Sequence, residues 1–172
     1  MITLGLSAIN VGDVASDGGM GTVLSPLGKT YRDSCKITQE DGEEIELNSE
    51  ESDDPEYVIQ RAGKIKVDFS VMNPEIATLQ KMLGGTVTGV GAAAVWEAPE
   101  SMPEVEQSIE ITPKIGLKIT IPRLKMNCKI DWSNVGTTPL LISVSGTVLV
   151  PEKAGEPKIQ VTVTGKVNSE PV

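Results

Sequence analysis

From Ile115 to Trp132 apolar side chains take every second position, and this alternation constrains the fold more than any other feature of the chain. Ile115, Leu117, Ile119 and Ile121 fall on odd positions; Leu124, Met126, Cys128, Ile130 and Trp132 fall on even ones. A period of two marks a strand with one buried and one wet face. The phase changes at Pro122-Arg123, which predicts a bulge or a turn rather than one unbroken strand. With the apolar series inward, Lys114, Lys118, Arg123, Lys125 and Lys129 point outward together. Such a face is either an ordinary solvated sheet surface or a basic partner for an acidic one.

The alternation recurs along the chain. Val58 to Met72 reads as a strand region with Ile65, Val67, Phe69 and Val71 on one face. Leu140 to Val150 and Lys158 to Val167 read as a final pair of strands around the polar connection Pro151 to Pro157. Nearer the start, a three-residue loop at Glu40-Asp41-Gly42 would pair Ile37 with Ile45 and Cys35 with Leu47, with Gly42 supplying a positive φ. Only one convincing helix is expected, over about 74–83. Asn73 can cap it, Pro74 suits its first position, Ile76, Leu79 and Leu83 recur at helical spacing, and Gly84-Gly85 ends it. Such a short helix would plug one open end of a β core. Thr86 to Trp96 is small and Gly/Ala-rich; the Gly-rich stretch Gly84 to Gly91 reads as flexible or tightly packed strand rather than a phosphate cradle, and Ala98 to Pro103 as a loop. A chain of 172 residues fits one domain, residues 1–172, with no internal repeat. The fold class is mainly β: an antiparallel sandwich or barrel with one short flanking helix. Its core must be aliphatic, because Tyr31, Tyr57, Phe69, Trp96 and Trp132 are the only aromatics.

Charge is concentrated in one place. Glu40 to Glu56 holds ten Asp and Glu residues and no Lys or Arg, whereas the whole protein carries −9. An extended acidic hairpin or loop is therefore expected at about 36–57. Within it, Asn48 to Pro55 has no apolar residue and cannot bury itself. The segment must meet cations, meet a basic protein surface, or keep another polyanion away. A dedicated calcium site is disfavoured, because neither Asp41-Gly-Glu-Glu nor Ser52-Asp-Asp-Pro-Glu follows the spacing of a calcium loop.

Several function classes lose their residues at the outset. Histidine is absent, which removes the commonest general base and transition-metal ligand. No phosphate-binding loop, dinucleotide fingerprint or nucleophile elbow is present. No enzyme activity, cofactor or metal is expected. Cys35 and Cys128 lie too far apart for a metal spacing and read as buried reduced thiols. A pI near 4.6 argues against unaided nucleic-acid binding. No basic residue precedes Lys29 and no apolar run approaches about 20 residues, so neither a signal peptide nor a membrane span is expected.

Four runs point to a family. Gly12-Asp-Val-Ala-Ser-Asp-Gly-Gly-Met-Gly-Thr22, Tyr31-Arg-Asp-Ser-Cys-Lys-Ile-Thr-Gln-Glu-Asp41, Glu50-Glu-Ser-Asp-Asp-Pro55 and Phe69-Ser-Val-Met-Asn-Pro74 resemble tail tube (major tail) proteins of tailed phages and prophages. The resemblance covers the chain to about Gly85. It implies a β-sandwich or barrel with a flanking helix, six-membered rings, and a stacked tube through which DNA passes without specific binding. It implies self-association, contacts with other tail proteins, no membrane, and a place in the virion tail after assembly in the bacterial host cytoplasm. Ser49, Glu50, Glu51, Ser52, Asp53, Asp54, Pro55 and Glu56 would form a loop reaching a neighbouring subunit, and Glu44 and Glu46 would be candidates to face an acidic lumen. A ring protein of a contractile secretion machine is the runner-up. A monomeric β-sandwich that binds a ligand through Trp96 or Trp132 is the reading from a different class.

Overall fold

Strands follow one another along the chain: β1 (Leu4–Asp13), β2 (Ser25–Pro26), β3 (Lys29–Thr30), β4 (Lys36–Gln39), β5 (Glu43–Asn48), β6 (Pro55–Arg61) and β7 (Ile65–Met72) precede helix α1 (Ile76–Leu83). After it come β8 (Thr86–Thr88), β9 (Val95–Glu97), β10 (Val105–Ile115), β11 (Leu117–Asp131), β12 (Leu141–Val148) and β13 (Gln160–Val163). The computed structural model describes residues 2–48, 50, 54–133, 136–137 and 139–164. Among them, nine strands form one antiparallel sheet in the order β2-β1-β10-β11-β12-β7-β3, with β13 beside β11 and β4 beside β7. The sheet curls into a half-barrel, in keeping with the expected mainly β class and its single short helix. Its aliphatic interior surrounds Phe69, with Val67, Ile109, Ile121, Leu124 and Ile142 fully buried about it.

The alternating run folds almost entirely as one strand, β11, with Ile115 closing β10. Gly116 makes the turn between β10 and β11 with φ +107°, and a β-carbon there would strike Thr3. The phase change at Pro122-Arg123 is a bulge. Gln107 faces Leu124 while Ile109 faces Ile121, so Pro122 and Arg123 together oppose the single residue Ser108. Ser108 is fully buried; its hydroxyl donates to the Pro122 carbonyl at 2.6 Å and accepts the Gly21 N–H at 2.8 Å. The bulge keeps Ile121 and Leu124 both pointing inward, as two residues of ordinary strand spacing would not.

The two last strands do not pair with each other, contrary to expectation. β11 is long enough to hold both: β13 lies against Leu117–Thr120, and β12 against Leu124–Asp131. The helix also starts later than its sequence suggests. Asn73 takes a left-handed φ of 45° in the turn after β7 and does not cap; Glu75 stands at the N-cap position without a side-chain bond. Gly84 and Gly85 end the helix with positive φ as expected. Leu79, Met82 and Leu83 enter the core, while Lys81 reaches across to the Ser25 hydroxyl at 2.9 Å. Trp96 donates its indole N–H to the Gly84 carbonyl at 2.9 Å, fastening the small β8–β9 hairpin to the helix end.

Both thiols are free. Burial pushes the Cys35 thiol up, and the Cys128 thiol up to about 11. Among the described residues no helix is long and apolar enough to cross a membrane.

Candidate assembly surface

The acidic segment belongs to a two-stranded arm. β4 pairs with β7, where Lys36 faces Asp68, and β5 pairs with β6, where Glu43 faces Arg61. One antiparallel register therefore runs from the sheet into the arm, through a bend at residues 40–42 and 62–64. The tight hairpin expected between Cys35-Ile37 and Ile45-Leu47 does not form. Alternation alone suits either pairing; backbone contacts decide. Gly42 lacks a positive φ and makes no turn. Instead it abuts the Arg61 carbonyl, while Gly63 abuts the carbonyl of Glu40, so the missing β-carbons let the two bent strands stay together. The Glu40 N–H donates to the Lys64 carbonyl at 2.9 Å, and its carboxylate pairs with Lys66.

The arm has two unlike faces. Ile45 lies opposite Ile59 and Leu47 opposite Tyr57, so all four share one face. Leu47 is 51% exposed and Tyr57 64%, and every residue of β6 is exposed. Full burial of one such aliphatic side chain is worth about 1.5–3 kcal/mol, so the face carries unspent hydrophobic free energy. Glu44 and Glu46 occupy the other face, opposite Gln60 and Val58, and both are exposed. At the outer end, Glu50 and Asp54 are exposed. Pro55 and Glu56, expected in a loop, are the first residues of β6. Their pairing follows from the arm's register, which reaches Asn48 opposite Pro55 after a bulge. Ser49, Glu51, Ser52 and Asp53 lie outside the described residues.

Of the five basic residues of the β10–β11 region, Lys114 borders the space beside β1, and acids of the same chain answer three of the other four. Lys118 pairs with Glu110 at 3.1 Å, Arg123 with Glu106 at 2.8 Å and Glu152 at 2.9 Å, and Lys125 with Glu104 at 2.8 Å. The two carboxylates hold the Arg123 guanidinium protonated more firmly than usual, Glu106 contributing most. Lys114 and Lys129 are exposed and make no ion pair among the described residues. This face is a ladder of cross-strand pairs with little net charge, less suited to gripping the acidic arm than its lysines alone suggest.

The apolar face of the arm is the candidate interface that reading the sequence for charge passes over. Its signal is present: Ile45, Leu47, Tyr57 and Ile59 are all at odd positions, flanking the acidic tip. Among the described residues no group of three or more Cys, Asp or Glu side chains is arranged to hold a metal ion. No protein-family model matches the chain, and no curated protein matches it.

Proposed function

We propose that the chain is a structural subunit of a phage or prophage tail tube, self-assembling into stacked hexameric rings that conduct DNA through an acidic lumen. The observation that carries this reading is the arm: a ribbon projecting from the half-barrel, apolar on one face, acidic on the other, and exposed on both. A monomer would leave Leu47 and Tyr57 in water for no gain, whereas a neighbouring copy would cover them. The curled antiparallel sheet with one helix fits the architecture that the sequence resemblance implies. Carboxylates at Glu44 and Glu46 suit a wall that repels the DNA phosphates it passes. The role is structural, in the virion tail beside other tail proteins, and needs no cofactor.

Size-exclusion chromatography with light scattering, followed by negative-stain microscopy, tests it. Rings or tubes are expected at high protein concentration. A strict monomer with neither would overturn the proposal. Reversing Asp53 and Asp54 together to Lys should block polymerisation while leaving the melting temperature of the monomer unchanged, because Asp54 is exposed and an exposed surface residue contributes little to stability.

A further inference from the structure

The half-barrel is closed at one end and open at the other. At the closed end, Ser25-Pro26 pairs with β1, Leu27 donates its N–H to the Ile9 carbonyl, and Lys29-Thr30 pairs with β7. At the open end, the first half of β1 pairs only with β10, and β4 pairs only with β7, among the described residues. Both strands border one groove of about 950 Å³. Its apolar lining includes Leu6, Cys35, Ile37, Ile111 and Ile119, of which only Ile111 is fully inside the core. Lys29, Arg32 and Lys114 stand around it, with Asp33 the one acid among the lining residues. No residue of β5 or β6 lines it, so the arm of the same chain does not fill it.

We propose that this groove is the seat for the apolar face of the arm of a second copy of the chain. The inference rests on the self-assembly reading and names the surface that receives the arm. Complementarity is twofold. The groove offers partly exposed aliphatic side chains to Ile45, Leu47, Tyr57 and Ile59. The groove is net positive, with Lys29, Arg32 and Lys114 against Asp33, which Arg32 pairs at 3.8 Å. The described residues of the arm, leaving aside Glu44 and Glu46 on its other face, carry four acids, Glu43, Glu50, Asp54 and Glu56, against Arg61. Unpaired strand edges on both sides add main-chain groups that an incoming ribbon can satisfy. The paired ladder on β10–β11 borders only a smaller pocket of about 340 Å³ at Glu104 and Lys125, and carries little net charge.

Cys35 reports directly on the groove, since Cys128 is only 7% exposed. One copy carries Cys35→Ser with Tyr57→Cys; the other is the unaltered chain. After mixing, a short bis-maleimide should give a covalent dimer, and the same treatment of the double variant alone should give none. In the unaltered protein, assembly should slow maleimide labelling of Cys35 at least about tenfold, because access controls the rate. Rings or tubes that form without the dimer, and with Cys35 as reactive as in dilute protein, would overturn the groove and leave the tube reading standing. A dimer without rings or tubes would keep the groove and overturn the tube. Absence of both would overturn both.

Discussion

The α-carbon of Gly63 lies against the carbonyl oxygen of Glu40, with no room between them for a β-carbon. That contact is the foot of the arm, where the ribbon leaves the sheet without losing register. Gly63→Ala should push the strands apart and cost about 1–3 kcal/mol locally, the range for a backbone clash that the structure must absorb. Hydrogen exchange provides the measurement. The Glu40 amide, bonded to Lys64, should lose protection while core amides such as that of Val144 keep theirs; equal protection in the variant would show that the contact is not restrictive.

Glu40 and Lys66 make the same foot sensitive to pH. The hydrogen bond from Lys66 holds the Glu40 carboxyl below the usual carboxylate range, and Glu40 raises the Lys66 ammonium in turn. A lowered carboxyl contributes stability above its unfolded pKa and loses it as pH falls through the folded value. A raised ammonium contributes below its unfolded pKa and loses it as pH rises through the folded value. Protection at the foot should therefore be flat around neutrality, fall in acid below the ordinary carboxylate range, and fall again above the ordinary lysine range. Glu40→Gln should remove the acid limb. An unchanged acid limb in that variant would assign the effect to another carboxylate.

Ser108 ties the β11 bulge to the loop after β1. Ser108→Ala would leave both the Gly21 N–H and the Pro122 carbonyl without their partner in a buried place. The expected loss is about 1–3 kcal/mol in urea denaturation, the cost of stranding buried polar groups. Ser108→Thr keeps the hydroxyl and should recover part of it if the added methyl can be housed.

Gly146 sits beneath Leu124. A β-carbon on Gly146 would come within 2.8 Å of the Leu124 side chain, which is fully buried. Gly146→Ala should overpack the site and cost about 1–3 kcal/mol. Leu124→Val removes a methylene at that contact, so the double variant should be more stable than the sum of the single losses predicts. Strict additivity in a double-mutant cycle would show that the two positions do not compete for the space.

The strands of the core were legible in the sequence because burial on one face leaves a period of two, clearest at Val67, Phe69 and Val71 and across the Pro122-Arg123 shift. Pairing was less legible. Ile37 and Ile45 have the same parity, so alternation permits a tight hairpin as readily as a long ribbon. Only the backbone contact at Gly42 and Gly63, made between residues about twenty apart, selects the ribbon. The paired state of the basic face was hidden for a similar reason. Arg123 meets Glu106 and Glu152 through the sheet register and a distant loop, and neither can be inferred from spacing along β11. The acidic arm is legible as charge, but its exposed apolar face is not, because hydrophobic alternation says which residues share a face and not what covers it.

Glu44 and Glu46 lie on the acidic side of β5, away from Ile45 and Leu47, so changing them leaves the apolar face intact. If that side lines a tube, Glu44→Lys with Glu46→Lys replaces repelling carboxylates by phosphate ligands at every subunit. Tubes of ordinary length should still form, as judged by microscopy, and the monomer should melt at its usual temperature. DNA should then co-sediment with the variant tubes at low salt and be released as salt rises, because lysine–phosphate contacts release counterions on forming. Virions built from the variant should deliver DNA more slowly. If the variant tubes formed normally and held no more DNA than the unaltered ones, the acidic side of β5 would face away from the lumen, and the repelling wall would have to be sought elsewhere on the half-barrel.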